Sequence, residues 1–219
     1  MKKRVAFSIA VFVCIAVAVV FTFPVSRYGL LGAIKREPFE AGRPLSYWAQ
    51  ALKDDDVDKR QEAALILSRM SPDARNALPQ LAEALKDPSP AVRVNAAFAL
   101  YKMGSEARSF VPSFCDSLKD EIAYVRLDAA MTLQKIGPDA RAAVPALVAA
   151  MQDKLNQAPL PYINISVRQA AARALGRIGA DAHEAIPALR EALQQQEDER
   201  FVMEASRALK LIEPEAGRD

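Results

Sequence analysis

The chain has 219 residues, 51% of them hydrophobic and 26% charged, which excludes a disordered tail and fits one or two folded domains. Its formal charge of +2 comes from basic residues near the N-terminus. From Pro44 onward 22 Lys and Arg face 25 Asp and Glu, so the cationic excess expected of a nucleic-acid surface is missing.

The first predicted element is a membrane anchor over residues 1–23. Lys2-Lys3-Arg4 precede Val5 to Phe23, an uncharged run that as a helix rises about 28 Å and can span the hydrocarbon core. The positive charges predict a single-pass membrane protein with a cytoplasmic N-terminus and an extracytoplasmic, in a bacterium periplasmic, repeat domain. The alternative is a cleaved signal peptide and a secreted domain. Residues 24–43, with Gly29, Gly32, Pro38 and Gly42, read as a juxtamembrane linker.

Residues 44–214 repeat. Leu52-Lys53-Asp54, Leu85-Lys86-Asp87, Leu118-Lys119-Asp120 and Met151-Gln152-Asp153 recur every 33 residues, a period that means stacked helical units. The repeats run about 44–74, 75–107, 108–140, 141–182 and 183–213. In each, a first helix carries an apolar stripe that starts at Leu45, Leu78, Val111, Val144 or Ile186. Pro79, Pro112, Pro145 and Pro187 suit its first turn. A second helix aligns Ala63, Ala96, Ala129, Ala171 and Ala205, with Leu67, Leu100, Leu133, Leu175 and Leu209 four residues on. Small alanines beside leucines allow close antiparallel packing. Gly104, Gly137 and Gly179 predict left-handed caps at the ends of these helices.

The phrase Gly137-Pro138-Asp139-Ala140-Arg141-Ala142-Ala143-Val144-Pro145-Ala146-Leu147, with Val92-Arg93 through Leu100, resembles the HEAT-type repeats also found in phycobilin lyases. The resemblance implies an all-α fold, a right-handed α-α superhelix of five helix pairs, which here would follow the single N-terminal transmembrane helix. It also implies that Arg60, Arg93, Arg126 and Arg168 form a structural ladder with Asp87, Asp120 and Asp153 between neighbouring repeats. Function follows less directly, because such a solenoid serves many roles.

The second helices are expected to line the concave side, where a protein or peptide partner would sit. One column there reads Glu62, Asn95, Asp128, Ala170, Glu204, and the next Leu65, Phe98, Met131, Arg173, Arg207. Leu65, Phe98 and Met131 read either as a docking strip or as packing against first helices. Arg69, Lys102, Lys135 and Arg177 form a basic edge, readable as a solvated helix end that meets the dipole. A nine-residue insertion, Asn156 to Asn164, brings Leu160 and Tyr162, which either touch a partner or fold back on their own repeat.

No metal or cofactor is expected. His183, with two cysteines in the chain, leaves no Cys/His zinc set. The di-iron centre of deoxyhypusine hydroxylase, which this fold resembles, needs several His-Glu pairs where this chain has one, His183-Glu184. The sequence reading is therefore a membrane-anchored, non-catalytic scaffold for protein–protein interaction. The alternative is a lyase-like binder of a tetrapyrrole or other small ligand.

Overall fold

A computed structural model of the chain describes residues 37–195 and 198–214. Among them five helix pairs follow one another: α1 (Leu45–Ala51) with α2 (Val57–Met70), α3 (Leu78–Ala84) with α4 (Pro90–Met103), α5 (Val111–Ser117) with α6 (Ala123–Ile136), α7 (Val144–Gln152) with α8 (Val167–Ile178), and α9 (Ile186–Gln195) with α10 (Glu199–Ile212). The architecture is an all-α repeat solenoid.

Each first helix begins where its apolar stripe begins, and Leu45, Leu81, Phe114, Leu147 and Leu189 bury almost completely. The second helices form one continuous layer in which α2 packs on α4, α4 on α6, α6 on α8 and α8 on α10. The alanine column makes this possible, since Ala63, Ala96, Ala129, Ala171 and Ala205 are all buried between neighbours. α8 and α10 approach closely at Gly176, where a Cβ would lie 3.0 Å from Ala208 Cα.

Gly104, Gly137 and Gly179 do end their helices, but in a different conformation from the predicted left-handed cap. Their φ values are +59°, +69° and +77° with ψ near the opposite, extended side, −124°, −133° and −143°, a region that a Cβ disfavours. The chain therefore turns directly into the 3-10 segments Gly104–Phe110, Gly137–Ala143 and Gly179–Ala185 instead of closing a capping loop.

Within the expected linker, residues 37–43 form a hairpin. Phe39–Glu40 (β1) pairs antiparallel with Arg43–Pro44 (β2), and the turn is made by Ala41 and Gly42 with φ of +50° and +73°. The hairpin is fastened to α1: Trp48 Nε1 donates to Glu40 O at 3.0 Å and Leu45 N to Pro38 O at 3.0 Å, while Arg43 lies 4.0 Å from the Tyr47 ring centre. Residues 24–36 of the expected linker lie outside the described residues.

The expected localisation is corrected. Among the described residues no helix is long and apolar enough to cross a membrane. The longest of them have 14 residues, about 21 Å of rise against the roughly 30 Å of a hydrocarbon core. A single-pass membrane protein is accordingly not supported. Residues 5–23, on which that expectation rested, lie outside the described residues.

Candidate partner-binding face

The start of each of the first four second helices is tied to the next repeat. Arg60 Nε donates to Asp87 Oδ2 at 2.8 Å, and Arg93 Nε to Asp120 Oδ2 at 2.7 Å, with Nη2 reaching the second oxygen at 3.3 Å in both. The same aspartates accept from backbone N–H groups at the start of their own second helix, Ser89 N and Ile122 N, each at 2.8 Å. The remaining arginine nitrogen donates to carbonyls of its own turn, Asp54 and Asp55 for Arg60, Asp87 and Pro88 for Arg93. These charge-assisted bonds raise both guanidinium groups above their ordinary pKa, Asp87 acting on Arg60 and Asp120 on Arg93.

At the third step the ladder departs from the spacing. Arg126 Nε donates to Asn156 Oδ1 at 2.7 Å, and Asn156 Nδ2 donates in turn to Ala150 O at 2.9 Å. Asp153 stays exposed and accepts from Leu155 N at 2.9 Å. The reason is the 3-10 turn Lys154–Asn156 that opens the insertion: it brings Asn156 under Arg126 and leaves Asp153 as its cap. At the fourth step Arg168 stacks on the Phe201 ring, 3.6 Å from its centre.

The opposite ends of the second helices are tied backward. Lys102 Nζ donates to Ser68 O and Lys135 Nζ to Tyr101 O, both at 2.9 Å, so each lysine caps a carbonyl in the last turn of the preceding repeat. Lys135 also sits 3.8 Å from the Tyr101 ring centre. Two members of the basic edge are thus structural staples, which the helix-dipole reading had not specified. Arg69 and Arg177 remain exposed, and Arg177 makes no corresponding bond to Gln134.

Between these two margins lies the exposed face of the layer. Leu65 and Phe98 are 39% and 44% exposed, large values for apolar residues on adjacent, tightly packed helices. Met131 is half-buried against the core. Farther along, Arg173 Nη2 and Arg207 Nη1 donate to one oxygen of the buried Glu204, at 2.9 and 3.2 Å. They border a cavity of about 330 Å³ whose lining also includes Arg177, Gly176, Ala208 and Leu211.

Asp128, in a column expected to line the concave side, is 8% exposed. Burial pushes its carboxyl up to about 7 against the opposing charge of Lys135. Its own partial burial lowers the Lys135 ammonium, which Asp128 opposes.

The insertion is split. Leu160 packs partly against the core, and Tyr124 OH donates to Pro161 O at 3.1 Å, so this part folds onto its own array. Tyr162 points fully into solvent with φ +67°. Both lie at the margin where the second helices start, and the structure does not bring them together with Lys102, Lys135 and Arg177 at the far margin. His183 is exposed in a 3-10 segment, and among the described residues no group of three or more His, Cys, Asp and Glu side chains converges as a metal site would.

A family model of HEAT repeats matches residues 45–111 and 163–217, more than half of the chain, and a model of the PBS lyase HEAT-like repeat matches residues 125–153. Among solved structures, the complex of CpcE and CpcF of phycocyanin lyase from Nostoc sp. is 28% identical, with a TM-score of 0.60 over 81% of this chain and 69% of that one. An engineered protein is 25% identical over 77% of this chain and 80% of its own, TM-score 0.59. A designed armadillo repeat protein in complex with the peptide (KR)4 is 19% identical and shares the fold, TM-score 0.63 over 77% and 81%. No curated protein matches the chain.

Proposed function

The chain belongs to the HEAT-repeat family, and from that premise we propose that it is a non-catalytic scaffold that binds another protein or peptide along the exposed face of its second helices. The observation that carries this reading is the placement of Leu65 and Phe98 in register on adjacent helices, exposed although each helix has a buried face available. Apolar groups repeated at one pitch along a solenoid favour an elongated partner over a small ligand. Both are partly exposed, so polar replacements cost the fold less than at a buried position, which makes the reading testable.

The full chain, crosslinked in cells and purified, retrieves a protein partner; Leu65→Asp and Phe98→Asp lose that partner while they melt as the parent does. Retention of the partner by both variants removes the strip as the site. Absence of any partner makes the array a spacer.

A second reading, a lyase-like or tetrapyrrole-binding role, is supported by the PBS lyase HEAT-like match over 125–153 and the likeness to the phycocyanin lyase complex. It predicts a coloured or ligand-loaded protein on purification. A colourless protein with no bound mass rejects it.

A further inference from the structure

We propose that the partner segment is acidic at one end, its carboxylates held by Arg173, Arg177 and Arg207 around the cavity between α8 and α10, with its apolar end over Leu65 and Phe98. The inference rests on the reading of the second-helix face as the binding face and gives its occupant a chemistry.

The argument is a change of character along one row. The same column is apolar in the first three repeats, Leu65, Phe98 and Met131, and becomes Arg173 and Arg207 in the last two. A structural role explains part of the change, because the buried Glu204 accepts from both arginines. One carboxylate does not balance what surrounds it. Arg173, Arg177 and Arg207 carry three positive charges against that single negative one, and Gln134, Gly176, Ala208 and Leu211 add no further charge to the lining. Guanidinium forks already oriented by a buried carboxylate lose little freedom when a second carboxylate arrives.

The column that reads Ser68, Tyr101 and Gln134 falls to Gly176 at this repeat, where α10 comes so close that Ala208 and Leu211 stand against the glycine and line the cavity beside Arg177. Arg177 does not reach back to cap the previous second helix, whereas Lys102 and Lys135 do. Its charge is available to a visitor. The arrangement suits carboxylate side chains, which are planar and bidentate acceptors, and the neighbouring apolar strip suits the segment that leads to them.

The test uses the full chain and three fluorescent synthetic peptides. Each has a leucine- and phenylalanine-containing half; the other half carries glutamates, glutamines or lysines. The glutamate peptide binds at least about tenfold tighter than the glutamine peptide, and added salt narrows the gap. Arg177→Glu abolishes the preference, and Arg177→Ala, the milder change, reduces it. Arg141→Glu, an exposed charge reversal in a 3-10 segment elsewhere, leaves it intact. Equal affinity for the glutamate and glutamine peptides overturns the inference, as does a preference untouched by Arg177→Glu in a protein that melts normally. Tighter binding of a single-stranded oligonucleotide than of the glutamate peptide also overturns it. A native partner lost on Phe98→Asp with no glutamate preference refutes this inference alone; a partner that ignores Phe98→Asp refutes the reading beneath it.

Discussion

Replacing Asp128 by Asn removes a carboxyl that the fold keeps in an unfavourable place. In the native chain its pKa stands at about 7, against 3.8 for an unperturbed aspartate. The native state therefore holds this proton more tightly than the unfolded one, and the associated stability is fully present below about pH 3.8 and is lost as pH rises through about 7. A gap of roughly three units corresponds to about 4 kcal/mol at full ionisation, an upper bound that local relaxation and water entry reduce. Asn keeps the shape and removes the charge. Urea denaturation of both proteins between about pH 4 and pH 8 follows the difference directly, since titrating groups not coupled to Asp128 cancel between them. Asp128→Asn gains stability over the parent progressively across that window, by about 2 to 4 kcal/mol at its upper end. A difference that stays flat with pH refutes the claim that burial, and not the side chain's shape, sets the behaviour of this site.

The remaining predictions concern the ties between repeats and the exposed row. Arg93→Ala leaves Asp120 without its partner in a nearly buried setting and lowers stability by about 3 kcal/mol in the same urea assay. Asn156→Ala, which removes a side chain bonded to both Arg126 and Ala150, costs about 2 to 3 kcal/mol, whereas Asp153→Ala costs about 1 kcal/mol or less, the value of a cap; equal losses would restore Asp153 to the ladder. Gly176→Val drives its side chain into Ala208 and Leu211 and lowers the melting temperature by several degrees, about 2 kcal/mol in calorimetry. Phe98→Asp changes the melting temperature little, since its ring is substantially exposed, while it removes the partner.

The solenoid is written openly in the sequence because each helix pair spends the same positions on the same contact. Alanine and leucine columns recur in phase, and the helices begin within a residue of the stripe. The Arg-to-Asp spacing of 27 residues foretells the bonds of Arg60 and Arg93 and fails at Arg126, where Asn156 lies 30 residues on. The insertion was visible; that its first turn would displace the acceptor depends on backbone geometry that spacing does not carry. Lys102 and Lys135 reach back 34 residues, a contact set by how one repeat is laid on the next. Nothing within a single helix encodes it. Asp128 aligns with the exposed Glu62 and yet is buried, since exposure along a column changes with the neighbours. The hairpin had one legible sign, Gly42 after a residue in the left-handed region, but Ala41 is an unusual choice for that position.

The bonds at the two margins have a mechanical consequence. Across the first three repeats adjacent second helices are pinned at both extremities, forward by Arg60 and Arg93 and backward by Lys102 and Lys135. Between the third and fourth repeats the forward pin, Arg126 to Asn156, is present and its backward counterpart at Arg177 is not. The junction between the third and fourth repeats thus lacks one of the two side-chain ties that its predecessors have. The expected consequence is easier opening at the untied margin beside Arg177, which faster amide exchange at the C-terminal end of α6 than of α4 would register.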